Sequence, residues 1–189
     1  VTGANGCTAT DEVTVFVDLT APTVDAGPDK DLNCTTTSAS IGTVAIPGYT
    51  YSWSPSIGLN SVLAAQPMAS PTSTTSYTVT VTGTNGCTAT DVVIVNVNTT
   101  PPTADAGPDK EVCSLNSVQI GTSAIAGNTY SWSPATALSA TNIAEPTANP
   151  TSTTSYTVTV TGSNGCTSTD VVLVQFKEGS VGNYVWTDV

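Results

Sequence analysis

Cysteine is the side chain with the most chemistry to offer in this sequence, which contains five of them and no histidine. Cys34 and Cys87 are separated by the same number of residues as Cys113 and Cys166, and each pair brackets one tryptophan and one Tyr-Thr-Val-Thr-Val stretch. Metal binding needs closely spaced thiolates or thiolates backed by imidazole, and no C-x-x-C pair or histidine supplies that. Cross-linking is the remaining chemistry. From Cys34 the pattern gives a strand near Ile41, a return through Trp53, a third traverse over 61–68 and a fourth over Tyr77–Val81. Four traverses bring the chain back beside Cys87, and a bridge requires that proximity. The expectation is therefore two disulfides, Cys34–Cys87 and Cys113–Cys166, both structural. Each would stabilise its loop by on the order of 4 kcal/mol in the chain-entropy model. Both imply an oxidising compartment. Cys7 is left over and is expected to be unpaired within this chain.

General acid–base catalysis without histidine would fall to carboxylates. The recurring acids are Asp25 and Asp29 in "DAGPDK" and their counterparts Asp105 and Asp109. Because they repeat with the module and stand beside its joints, they read as structural turns, and no enzyme is expected. A Ca²⁺ ion at the joints is the sharper alternative, but calcium needs six or more converging oxygens. One or two aspartates per joint supply few of them, so no cofactor is expected. Lys30 and Lys110 are the lysines available within the repeats for a covalent Lys–Asn crosslink.

The elements that position these groups are written in the repetition. "VDAGPDKDLNC" at Val24 returns as "ADAGPDKEVC" at Ala104, "YSWSP" at Tyr51 returns at Tyr130, and "PTSTTSYTVTVTG" at Pro71 returns at Pro150. A period of about 80 residues suits a small β-sandwich and is too long for a solenoid. The reading is all-β, with tandem immunoglobulin-like sandwich repeats arranged as a rod. Residues 1–19 form the C-terminal hairpin of a preceding repeat, 20–99 one repeat, 100–177 a second, and 178–189 the first strand of something different. "TAPT" and "TTPPT" are the joints, where proline fixes φ and favours extended chain. The sequence starts inside a repeat, so it reads as an excerpt of a longer polypeptide.

Within each repeat, Tyr77, Val79 and Val81 alternate with threonines, the signature of a half-buried strand. "TNG" and "SNG" are expected to reverse the chain in a type I′ hairpin turn. Val93, Val95 and Val97 then point inward on the returning strand, as do Val172, Val174 and Phe176. Trp53 and Trp132, with Tyr77 and Tyr156, are the expected core plugs. The outward positions of the returning strand should be polar, yet they include Val92 and Ile94 in one copy and Val171 and Leu173 in the next. Apolar side chains on a solvated face suggest cover by another surface, so these four are the expected lateral interface with other copies of the chain.

Composition excludes several classes. The formal net charge is -11, there is no arginine, and lysine occurs at positions 30, 110 and 177 alone. Basic residues supply the phosphate contacts that dominate nucleic-acid affinity, so no nucleic-acid partner is expected. No apolar run approaches the roughly 20 residues of a spanning helix, and no membrane insertion is expected.

The series "AGPDK…C", "YSW" and "SYTVTVTG-NGC" resembles the immunoglobulin-like and PKD-like repeats of giant surface proteins of Bacteroidota. That resemblance implies an extracellular adhesin or filament, used in attachment, cell contact or gliding and exported by type IX secretion. In immunoglobulin domains the second cysteine lies within the strand, two residues after the tyrosine, whereas here it follows the hairpin turn. "GSVGNYVWTDV" from Gly179 resembles the first strand of an SdrD B-like (Cna-B-type) module, in which Asp188 would stand near a calcium loop. Two other functions compete: a glycan- or protein-binding module, and an accessory domain of a secreted hydrolase. Binding modules show clustered exposed aromatics, and "YSW" reads instead as core.

Overall fold

The computed structural model describes residues 1–113 and 116–178. The Gly179–Val189 segment and its expected strand lie outside the described residues. The described residues form twelve β-strands and no helix, so no helix is long and apolar enough to cross a membrane. The strands are β1 (Lys30–Asn33), β2 (Ala39–Ser40), β3 (Thr50–Ser54), β4 (Met68–Ala69), β5 (Thr75–Thr82) and β6 (Thr88–Asn98), then β7 (Lys110–Cys113), β8 (Val118–Gln119), β9 (Thr129–Ser133), β10 (Thr147–Ala148), β11 (Thr154–Thr161) and β12 (Thr167–Lys177).

The two halves repeat one topology. Sheet order β1-β6-β5-β3 is matched by β7-β12-β11-β9, and the two-stranded sheet β2-β4 by β10-β8. Each half is thus an all-β, immunoglobulin-like sandwich. Alternation explains the long strands: Tyr77, Val79 and Val81 are buried between exposed or half-buried threonines, and Tyr156, Val158 and Val160 repeat the pattern. Val93 and Val95, like Val172 and Val174, are fully buried from the neighbouring strand. Trp53 and Trp132 fill the same place in each core, with the indole nitrogen donating to the Ala64 carbonyl at 2.9 Å and to the Ile143 carbonyl at 3.0 Å. The Tyr77 hydroxyl donates to the Ile57 carbonyl at 2.6 Å and that of Tyr156 to Thr136 at 3.0 Å.

By contact density the chain divides into two compact units whose borders do not follow the sequence repeats. One contains Val1–Lys30, Ser40–Pro71 and Thr75–Val95; the other contains Asp31–Ala39, Thr72–Thr74 and the chain from Asn96. Residues 1–19 form a turn closed by an isolated Thr2–Thr8 bridge, and no strand follows it. Val13, Val15 and Phe16 there are largely exposed, since a strand with no sheet beside it has no face to bury.

Candidate functional site at the hairpin cysteines

The disulfide is Cys34–Cys166, with Cα atoms 5.0 Å apart, and Cys7, Cys87 and Cys113 carry free thiols. This corrects the expected pairs Cys34–Cys87 and Cys113–Cys166. The reason is strand direction. β7 pairs parallel to β12, with Cys113 opposite Lys177 at the end of β12, whereas Cys166 precedes that strand. The eleven residues of β12 hold the two sulfurs apart, a distance of roughly 35 Å at strand rise. The first half is built the same way. Asp29 accepts from the Ile94 amide and Asp31 from the Asn96 side chain, so the contacts of β1 follow β6 in the same order as those of β7 follow β12.

The traverse count failed in one segment. Residues 56–70 fold back on themselves, pairing Leu59 with Ala69 in antiparallel fashion, and Leu138 pairs with Ala148 in the same way. What reads as one traverse is two, the total becomes odd, and the cysteines of one repeat end at opposite poles.

The hairpins that carry Cys87 and Cys166 share one construction. The Gly83 amide donates to the Cys87 carbonyl at 2.9 Å, and Gly162 to Cys166 at 2.9 Å. The Gly86 amide donates to the Gly83 carbonyl, and the positive φ falls on Gly86 (79°) and Gly165 (73°), not on the asparagines. This is a tight turn followed by a left-handed glycine rather than the expected type I′ turn, which would need positive φ at Asn85 also. The asparagine side chain has other work. Asn85 accepts from the Cys87 amide at 3.0 Å and donates to the Thr20 carbonyl at 2.9 Å, clamping the joint to the hairpin. Asn164 accepts from the Cys166 amide at 3.1 Å and donates to the Thr100 carbonyl at 2.9 Å. Polar clefts of about 230 and 250 Å³ lie against the two clamps, the first lined in part by Asp18, Thr20 and Asn85, the second by Asp31, Asn96 and Asn164.

At Cys166 the hairpin is occupied. The Cys34 amide donates to the Asn164 carbonyl at 3.3 Å, and the Thr35 methyl lies 2.5 Å from where a Cβ on Gly165 would stand. A Cβ there would force that methyl to shift, and the positive φ of 73° favours glycine as well. Over Gly86 nothing lies within 4 Å of the equivalent point, although the hairpin is the same. The loop half is shaped by Asn33, whose Oδ1 accepts from the Thr35 and Thr36 amides at 2.9 and 2.8 Å.

The recurring acids are used by the backbone. Asp25 accepts from the Gly27 amide at 2.7 Å and Asp105 from Gly107 at 2.9 Å. Asp29 accepts from Ile94 at 2.8 Å and Asp109 from Leu173 at 2.9 Å, continuing the ladder beyond β1 and β7. Asp91, not singled out from sequence, accepts from the Ala26 amide at 2.8 Å, and that bond with a second from Val92 lowers its pKa below the usual carboxylate value. Asp170 makes the same bond to Ala106. The recurrence of "TATD" and "TSTD" was the available signal. Among the described residues no group of three His, Cys, Asp or Glu side chains could hold a metal ion. Lys30 and Lys110 open β1 and β7, both half-buried.

On the outer faces of β6 and β12, Val92 is 50% exposed, Ile94 38% and Val171 52%, while Leu173 is half-buried. They stand opposite Thr78, Ser76, Thr157 and Ser155 of the neighbouring strands.

No protein-family profile matches the chain, and no curated protein matches it. Solved structures do. The PKD domain from KIAA 1837 protein is 20% identical over 45% of this chain and 95% of that one, with a TM-score of 0.37. Mouse cadherin-23 EC22–24 is 13% identical over 80% and 62%, with a TM-score of 0.42. The three N-terminal domains of the bacteriophage RB49 outer capsid protein Hoc are 18% identical over 78% and 56%, with a TM-score of 0.40.

Proposed function

We propose that this chain is a non-catalytic, load-bearing segment of a large extracellular surface protein, a filament or adhesin built from serial immunoglobulin-like repeats. One observation carries the reading: a disulfide spans two successive sequence repeats, from Cys34 in the first to Cys166 in the second. Both cysteines lie in one compact unit, and the bond closes a span of 132 residues that a chain under tension would otherwise pay out. The bond also fits an oxidising, extracellular setting. The recurring side chains support the same role, since the aspartates, asparagines and tyrosines of the motifs are engaged with the protein's own backbone. The sequence resemblance extends the reading to surface proteins of Bacteroidota exported by type IX secretion, used in attachment or gliding, with an SdrD B-like module following. Lateral packing of copies would use Val92, Ile94, Val171 and Leu173. Val92→Thr with Ile94→Thr would then weaken association between chains in sedimentation, and unchanged association would remove these residues from the interface.

Pulling the chain by its ends tests the mechanical role. The 132-residue span closed by the bridge is shielded from extension while oxidised. Reduction should release roughly 450 Å of additional contour length. Equal extension with and without reductant would sink the reading.

A further inference from the structure

We propose that the hairpin Gly83–Cys87 is a docking site for the cysteine loop of another copy of this repeat, closed by a disulfide at Cys87. The inference rests on the serial-repeat reading above. One hairpin of the chain shows the occupied state and another shows the open one. At Gly162–Cys166 the visitor is the loop Asn33–Thr36: its cysteine bonds Cys166, its amide reaches the Asn164 carbonyl, and its threonine methyl fills the space over Gly165. At Gly83–Cys87 the internal hydrogen bonds are the same, the joint is clamped by Asn85 as it is by Asn164, and the space over Gly86 is empty. Cys87 is half-buried and reduced, poised where Cys166 is bonded. Its partner is therefore a loop cysteine in the setting of Cys34, and the Asn85 clamp on Thr20 places that partner in the repeat that runs into the 18–22 joint.

The bond forms by thiol–disulfide exchange. With glutathione disulfide as oxidant, one protein thiolate displaces a glutathione thiolate, and the second protein thiolate attacks the mixed disulfide and releases the other. Two protein thiols lose two protons and two electrons, and one glutathione disulfide becomes two glutathiones.

The test fuses a copy of residues 20–80 ahead of Val1 of the full chain, so that the copied "YTVT" runs into "VTGANGC" as it does in the intact repeat. After folding in glutathione buffer, non-reducing peptide mapping should find the copied loop cysteine linked to Cys87, alongside Cys34–Cys166. Cys87→Ser in the fused chain should free one thiol that the parent lacks. A copied cysteine linked to Cys7, or left free while Cys34–Cys166 forms, overturns the proposal. Loss of Cys34–Cys166 in the unfused chain would instead overturn the serial-repeat reading. A second measurement avoids any folding difficulty in the fusion. A peptide of residues 30–38, presented to the unfused chain as its glutathione mixed disulfide, should capture Cys87 about tenfold faster than glutathione disulfide does, with no such preference at Cys113. Equal preference at both sites counts against docking.

Discussion

The Asp91 carboxylate accepts the Ala26 amide hydrogen at 2.8 Å, tying the start of β6 to the "DAGPDK" segment 65 residues earlier. Amide donors from Ala26 and Val92 favour the ionised form and hold its pKa below the ordinary value. A group with a depressed folded-state pKa stabilises the fold above its unfolded value, and that stabilisation is lost as pH falls through the folded one. The chain should therefore lose stability as the pH falls below the ordinary aspartate range. Asp91→Asn, which keeps an acceptor but no charge, should cost about 1 kcal/mol near neutral pH and flatten that acid limb. Denaturant midpoints across the acid range check it; an unchanged acid slope in the variant would refute the assignment.

Tyr77→Phe removes the hydroxyl that donates to the Ile57 carbonyl at 2.6 Å while leaving the buried ring in place. The carbonyl then loses its partner in a part-buried site, and the expected cost is about 1–2 kcal/mol in urea unfolding. Tyr156→Phe should cost less than Tyr77→Phe, because its bond to Thr136 is longer at 3.0 Å. Equal stability of both variants and the parent would mean that the hydroxyls only complete contacts that water replaces.

The long strands were legible because their apolar residues recur with period two: Tyr77, Val79 and Val81 face a core that the sequence marks with Trp53. The cysteine pairing was not, and the cause is local. The doubling back of residues 56–70 rests on a single bridge, Leu59 to Ala69, and on hydrogen bonds such as Ser70 amide to Gly58 carbonyl at 2.7 Å. No alternation marks so short a pairing, and β2 and β4 are two residues each. The Asn85 clamp was hidden differently. Asn-Gly announces a turn by its backbone preference, and nothing in the dipeptide reveals that the amide side chain reaches a carbonyl 65 residues earlier.

Ala137 occupies the left-handed region at φ 61°, where the first half of the chain has Gly58 at 71°. The conformation is held because the Asn149 amide donates to the Ala137 carbonyl at 2.8 Å, as Ser70 does to Gly58. A left-handed alanine costs roughly 1–2 kcal/mol, and glycine's greater unfolded-state freedom returns part of that. Ala137→Gly should stabilise the second half by a few tenths to about 1 kcal/mol. The reverse change, Gly58→Ala, should destabilise by more, because its Cβ would stand 2.7 Å from the Pro71 nitrogen. A destabilised Ala137→Gly would show that the alanine methyl makes a contact worth more than its strain.

Removal of the disulfide separates the two pairings by their stability effects. Cys34 and Cys166 close a span of 132 residues. Constraint of so long a loop stabilises by up to about 5 kcal/mol in the chain-entropy model, with about 2–4 kcal/mol usually delivered. Cys34→Ser and Cys166→Ser should therefore lower the unfolding temperature equally, and the double variant should lower it no further, since both delete one bond. Cys87→Ser and Cys113→Ser remove free thiols and should leave it unchanged. The liberated Cys166 of the Cys34→Ser chain cannot turn to Cys113, because the length of β12 stands between them. Were the bonds intra-repeat, the pattern would invert: Cys87→Ser would match Cys34→Ser, and Cys113→Ser would match Cys166→Ser. Four single variants compared in oxidised and reduced buffer decide between closure within each sequence repeat and closure from Cys34 to Cys166.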